Sequence, residues 1–205
     1  MTDGGIGRIL VASLHQSIGD VLPTRLDYYE HWLTPMGLRG GRTGRAPLGA
    51  VLSFLRQEGP QVYDLVMTGA GHSSAEWHHA QGGVMPRLVR VLPARPRARA
   101  VLRQSRRLLR SAFAPAQVHV HVSTRRGVGA VTIGSGIFCD LRERWAWPTC
   151  RYYAAAIERY LALQGVPADV VIDTCQAIAE GPCRFAVTFR RLGREPAAPA
   201  AEGTS

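Results

Sequence analysis

At Gln117 the spacing of apolar residues changes, and that change restricts the chain to folds with helices first and a sheet second. Ahead of it, hydrophobic residues recur at intervals of three and four, which lays one apolar stripe along a helix. Behind it, VHVHVS alternates with period two, as a strand with one buried face does. Ile6, Ile9, Leu10, Leu14, Ile18 and Val21 predict a first helix over 6–22, with Ser13 and Ser17 beside the stripe. Thr24 to Leu33 predicts a second, ended by Pro35 and Gly37, and Gly40, Gly41 and Gly44 make a turn. Ala46 to Arg56 predicts a third, with Pro47 tolerated in its first turn. Gln61 to Gly83 carries both extended and helical signals and leans towards helix. Leu88 to Ala114 reads as a basic amphipathic helix, its stripe formed by Val101, Leu102, Leu108, Leu109 and Phe113.

In the second half, VHVHVS and AVTIGSGIF are two strands joined by RRGVG. Pro148 to Leu163 is helical, and Ala168 to Thr174 with Arg184 to Arg191 forms another hairpin. The expectation is one α+β domain over residues 1–192. Its helical part, 1–115, packs on an antiparallel sheet made by two hairpins flanking a helix within 116–192. Residues 193–205, REPAAPAAEGTS with the residue before it, have too little apolar surface to offset ordering entropy and are expected to be disordered.

A hydrophobic fraction of 46% suits a globular chain, and no apolar run reaches the roughly 18 residues of a membrane span. The opening residues lack a basic segment followed by an apolar core, so the expected location is cytoplasmic. There the four cysteines, Cys139, Cys150, Cys175 and Cys183, stay reduced, which favours metal binding over cross-links. The formal charge of +10 comes entirely from arginine. Nine arginines and no acids lie between Arg87 and Arg110. This segment reads as a solvated helix face, with nucleic acid or an anionic membrane as alternative partners. GVGAVTIGSG falls in a hairpin instead of a strand-to-helix turn, and neither a P-loop nor a GxSxG elbow is present. A binding module is therefore favoured over an enzyme.

Cys150 before a helix rich in small and aromatic residues, Gly165, an extended run to Cys175, and then Cys183-Arg184-Phe185 resemble the 4-vinyl reductase domain. That domain shares an α/β fold with subunits of vesicle-tethering complexes and, more remotely, with haem nitric-oxide sensors. The resemblance covers mainly residues 117–191. It implies a small-molecule-binding or sensory module with an apolar cavity, a homodimer, and an effector protein to carry its output. It also implies zinc on cysteines matching Cys150, Cys175 and Cys183, together with an acidic residue. The family's glutamate stands where this chain has Ile172, and Asp173 is the nearest substitute. An accessory to tetrapyrrole vinyl reduction and a scaffolding dimer are the alternative functions.

The residues bear on the same site. Two strands joined by a turn bring Cys175 and Cys183 together, and strand alternation would send Asp173 and Cys175 to one face. Cys150, near a helix start, has its thiolate favoured by the helix dipole. Whether Cys139 joins them is left open by the sequence. Phe138, Trp145, Trp147, Tyr152 and Tyr153 flank the same turn and are candidates to line a pocket for an apolar or aromatic molecule. His119 is a further candidate, although its alternation with valines, like that of His121, turns it towards solvent.

Overall fold

The computed structural model describes residues 6–27, 45–82, 89–139 and 145–190. Its first half is helical, as the periodicity requires. Helix α1 (Arg8–Val21) buries Leu10, Val11, Leu14 and Ile18 together with Ser13 and Ser17. A 3₁₀ turn, Pro23–Arg25, follows where a second helix is expected, and residues 28–33 of that expectation lie outside the described residues. The triple-glycine turn lies outside them as well. Helix α2 (Arg45–Gln57) buries Leu48, Val51, Leu52 and Leu55. Gly59, at φ 96°, makes the sharp reversal into α3 (Pro60–Gln81), with Pro60 in the first turn where its missing N–H is harmless.

Helix α3 resolves the ambiguous stretch. Its buried side, Tyr63, Val66, Met67, Ala70, Gly71, Ser74 and Ala75, keeps the three-and-four spacing, but half of it is small and weakly apolar. Small residues let α1 and the later helix Arg151–Leu163 approach closely. Ser17 donates to the Val66 carbonyl (2.7 Å), and Ser74 bonds to Ser13 (2.8 Å), so the buried hydroxyls between α1 and α3 are satisfied. Helix α4 (Ala94–Ala112) is the basic helix, burying Val101, Leu102, Leu108 and Leu109. No described helix is long and apolar enough to cross a membrane.

The second half forms a four-stranded antiparallel sheet. Strands β1 (Gln117–Ser123) and β2 (Val128–Gly134) make one hairpin, β3 (Ala168–Thr174) and β4 (Cys183–Phe189) the other. The hairpins join through β2 and β4, giving the order β1-β2-β4-β3. Helix α5 (Arg151–Leu163) runs between them in sequence and packs on α3 and β3, while α4 packs on β1. The architecture is α+β, with the helical half against the sheet. Strand β4 alternates cleanly, burying Cys183, Phe185, Val187 and Phe189. Two expectations are corrected. Strand β2 stops at Gly134, because Ser135 takes φ 55°, so Phe138 lies in a turn, Ile137–Cys139, and not in a strand. The register of β3 against β4 shifts between Ile172 and Thr174, a bulge that breaks the strand alternation at Asp173.

Candidate metal centre and aromatic cluster

Four chain segments end at one point. Cys139 closes the turn after β2, Cys150 caps the start of α5, Cys175 follows β3, and Cys183 opens β4. All four cysteines are free and buried, and their sulfurs lie within 4.8 Å of one another. The Cys139 sulfur is 3.5 Å from that of Cys175 and 3.4 Å from that of Cys183. A tetrahedral ion with bonds of about 2.3 Å to sulfur separates its ligands by roughly 3.8 Å. The cluster therefore has the spacing of a metal cage, and is too wide for disulfides at about 2.05 Å.

Local backbone geometry supports this convergence. The N–H groups of Ile178 and Ala179 donate to the Cys175 carbonyl (3.0 and 3.1 Å), winding the chain after β3 into a tight turn. Gly181, at φ 107°, lets the chain re-enter β4. The Gln176 N–H donates to the Cys183 sulfur (3.4 Å), and the Thr149 hydroxyl lies 3.4 Å from the Cys139 sulfur. Thr149 is itself fixed, donating to the Phe138 carbonyl (2.8 Å) and accepting from Tyr63 on its own carbonyl (2.8 Å).

The thiols titrate as a group. Cys175 is pushed down, first by its hydrogen bond with Cys139 and then by those with Cys150 and Cys183. Cys183 is pushed down by Cys139 and Cys150 in turn. Cys150 is pushed up, first by Cys139 and then by Cys175 and Cys183. For Cys139 the bond with Cys150 lowers the pKa, but those with Cys175 and Cys183 and burial outweigh it. The hydrogen bonds among them thus favour the thiolate at Cys175 and Cys183 and the thiol at Cys139 and Cys150. A divalent cation reverses that balance and favours four thiolates.

Asp173 stands outside this group. It is exposed at the β3 bulge while Cys175 is buried, so the two do not share a face. Cys139 completes the group of four buried sulfurs instead. The count of four cysteines was the only hint in the sequence, since Cys139 is 36 residues from Cys175 and belongs to no local motif.

The aromatic candidates divide into two sets. Phe138, Tyr152 and Tyr153 are buried together, with ring centroids 4.8 Å (Phe138–Tyr152) and 5.0 Å (Phe138–Tyr153) apart. Tyr152 donates to Ser74 (2.7 Å), extending the hydroxyl chain from α1 and α3. Trp145 and Trp147 are half-buried, edge to face at 4.9 Å. His119 joins neither set, being exposed on β1 beside Arg106 and Arg110. One residue escaped the sequence reading altogether. Arg56 of α2 is only 3% exposed and reads in the sequence as the polar end of a helix stripe. Its Nη2 donates to the Phe138 carbonyl (3.0 Å), and its guanidinium lies over the rings of Trp145 (5.7 Å) and Tyr63 (5.9 Å). Burial pushes its pKa down, and Tyr63 and Cys139 draw it back. Arg56 Nε and Trp147 Nε1 are buried donors with no acceptor among the described residues.

No family model matches the chain, and no curated protein matches its sequence. A solved structure does match in shape. The fold is similar to a phenol sensor's. The chain aligns with the phenol-responsive sensory domain of the transcription activator PoxR, determined with phenol, at a TM-score of 0.50 and 16% identity. The alignment covers 71% of this chain and 74% of that one. At that identity the likeness concerns the fold, and the resemblance to the 4-vinyl reductase domain rests on the residues quoted for it.

Proposed function

We propose that this protein is a small-molecule-binding sensory module whose sheet ends and α5 are clamped by a zinc ion on Cys139, Cys150, Cys175 and Cys183. The observation that carries this reading is the convergence of four buried thiols from four separate segments. Soft thiolates in a tetrahedral set suit zinc, which would be structural here because all four positions are taken by protein. Fold similarity to a sensory domain supports the ligand-binding half of the reading.

The ligand would be an apolar or aromatic molecule held near Phe138, Trp145, Trp147, Tyr152 and Tyr153. The buried donors on Arg56 and Trp147 that have no partner among the described residues, both beside Trp145, suit a ligand that carries an oxygen acceptor. Homodimer formation and an effector partner belong to the same reading. Elemental analysis of protein purified without added metal should give one zinc per chain. Native mass spectrometry of the same sample should show its oligomeric state and a retained small molecule. Absence of stoichiometric metal would remove the clamp, and failure of phenol, benzoate and related aromatics to bind in calorimetry would remove the sensor.

A further inference from the structure

Between Trp77 and Cys139 the chain carries eleven arginines and no aspartate or glutamate. Elsewhere fourteen arginines face all fifteen acids, so the net charge of +10 resides in this one span. A coding preference for arginine would raise its use everywhere without clearing the acids from a single stretch.

Helix α4 turns that composition into a surface. Arg95, Arg99, Arg103, Arg106 and Arg110 follow one another at steps of four, four, three and four, and all are exposed. They form one row along the outer side of the helix, about 22 Å long at 1.5 Å per residue. None of the five has a hydrogen bond or ion pair among the described residues. Like charges at these steps repel each other, so the row costs helix stability unless an outside anion offsets it. At the C-terminal end of α4, Arg106 and Arg110 meet Gln117 and His119 of β1 around an open cleft of about 290 Å³. Arg125 and Arg126, exposed at the β1–β2 turn, add to the same positive span.

The chemistry of the row selects its partner. The apolar side of α4 is buried in the protein, which leaves no greasy face to enter a bilayer. From Arg95 to Arg110 there is no aromatic residue on which the bases of a single strand would stack. A duplex presents one negative charge per roughly 1.7 Å of axis, a continuous match for a row of exposed guanidinium groups. We infer that the outer side of α4, with the cleft at β1, binds the phosphate backbone of a duplex nucleic acid without reading its sequence.

None of these residues belongs to the thiol cluster, so this surface is tested separately from the metal and ligand. Fluorescence anisotropy of the full chain with a duplex of about 30 base pairs should show binding at about 50 mM salt. The logarithm of affinity should fall with that of salt at a slope near −4.5, as five phosphate contacts require. The variant R99Q/R103Q/R106Q/R110Q should lose at least about tenfold in affinity at 50 mM salt, with the slope reduced to about −1. Arg184→Gln, on the exposed side of β4, should behave as wild type. Circular dichroism would confirm that the variants are folded. The inference is overturned by no duplex binding at low salt, by unchanged binding of the quadruple variant, or by tighter binding to the single strand. It is equally overturned if the protein floats with phosphatidylserine vesicles while leaving the duplex free.

Discussion

At the scale of single residues, the fourth ligand of the proposed zinc separates Asp173, the candidate taken from the sequence, from Cys139, which the sequence left open. Asp173 lies two residues from Cys175, and an unbroken strand would have put both on one face; the bulge between Ile172 and Thr174 prevents it. Cys139 reaches the cluster from another hairpin. Cys139→Ser should therefore weaken zinc retention against a chelator by more than the roughly 10–100-fold that outer contacts are worth. Asp173→Asn should leave retention unchanged. Equal loss in both variants would return the carboxylate to the site. Arg56 shows the opposite limit of sequence reading: a polar residue at the end of an amphipathic stripe gives no local sign that it will be buried against Tyr63 and Trp145.

At the scale of elements, the contact of α3 with α5 is close because Gly71 has no side chain. A Cβ there would stand 2.6 Å from the Tyr152 carbonyl oxygen and 2.9 Å from the Ala155 Cβ. Backbone cannot yield as a flexible side chain can. Gly71→Ala should destabilise the protein by about 1–3 kcal/mol in urea denaturation, despite alanine's better helix propensity. The C-terminal half of α3 also carries a pH dependence. His72, His78 and His79 all have lowered pKa values, chiefly through burial, with Arg159, His79 and Arg90 respectively as the next lowering influence. In the unfolded chain each titrates near about 6.5, so below that pH the unfolded state binds more protons than the folded one. Stability should be full above about pH 6.5 and decline as pH falls towards the folded values. Urea midpoints measured in steps from pH 7.5 to about 5 would check this, and the H72Q/H78Q/H79Q variant should flatten the decline. Most elements were legible because their periodicity is local. Helix α3 was the hardest to read because the second half of its buried stripe is Ala, Gly and Ser, which carry little hydrophobic signal.

At the scale of the whole molecule, the thiol cluster ties the ends of both hairpins to α5, whereas α1 to α3 contribute no ligand to it. Removing the proposed zinc with a chelator should lower the melting temperature by roughly 10 °C if the ion contributes only a few kcal/mol. Hydrogen exchange should quicken at 137–139 and 175–183 first, with the centre of α1 least affected; uniform quickening would mean that the cluster does not act as a local clamp. The sequence by itself determined the order of helices before sheet, most of the helices, the two hairpins and the helix between them, because each follows from spacing within a few residues. Only the tertiary structure decided that β2 pairs with β4, that Cys139 meets the other three sulfurs, that Asp173 is turned out, and that Arg56 is drawn in. Those outcomes depend on where separate segments meet, and a bulge or one positive φ redirects a side chain without leaving a periodic trace in the residues around it.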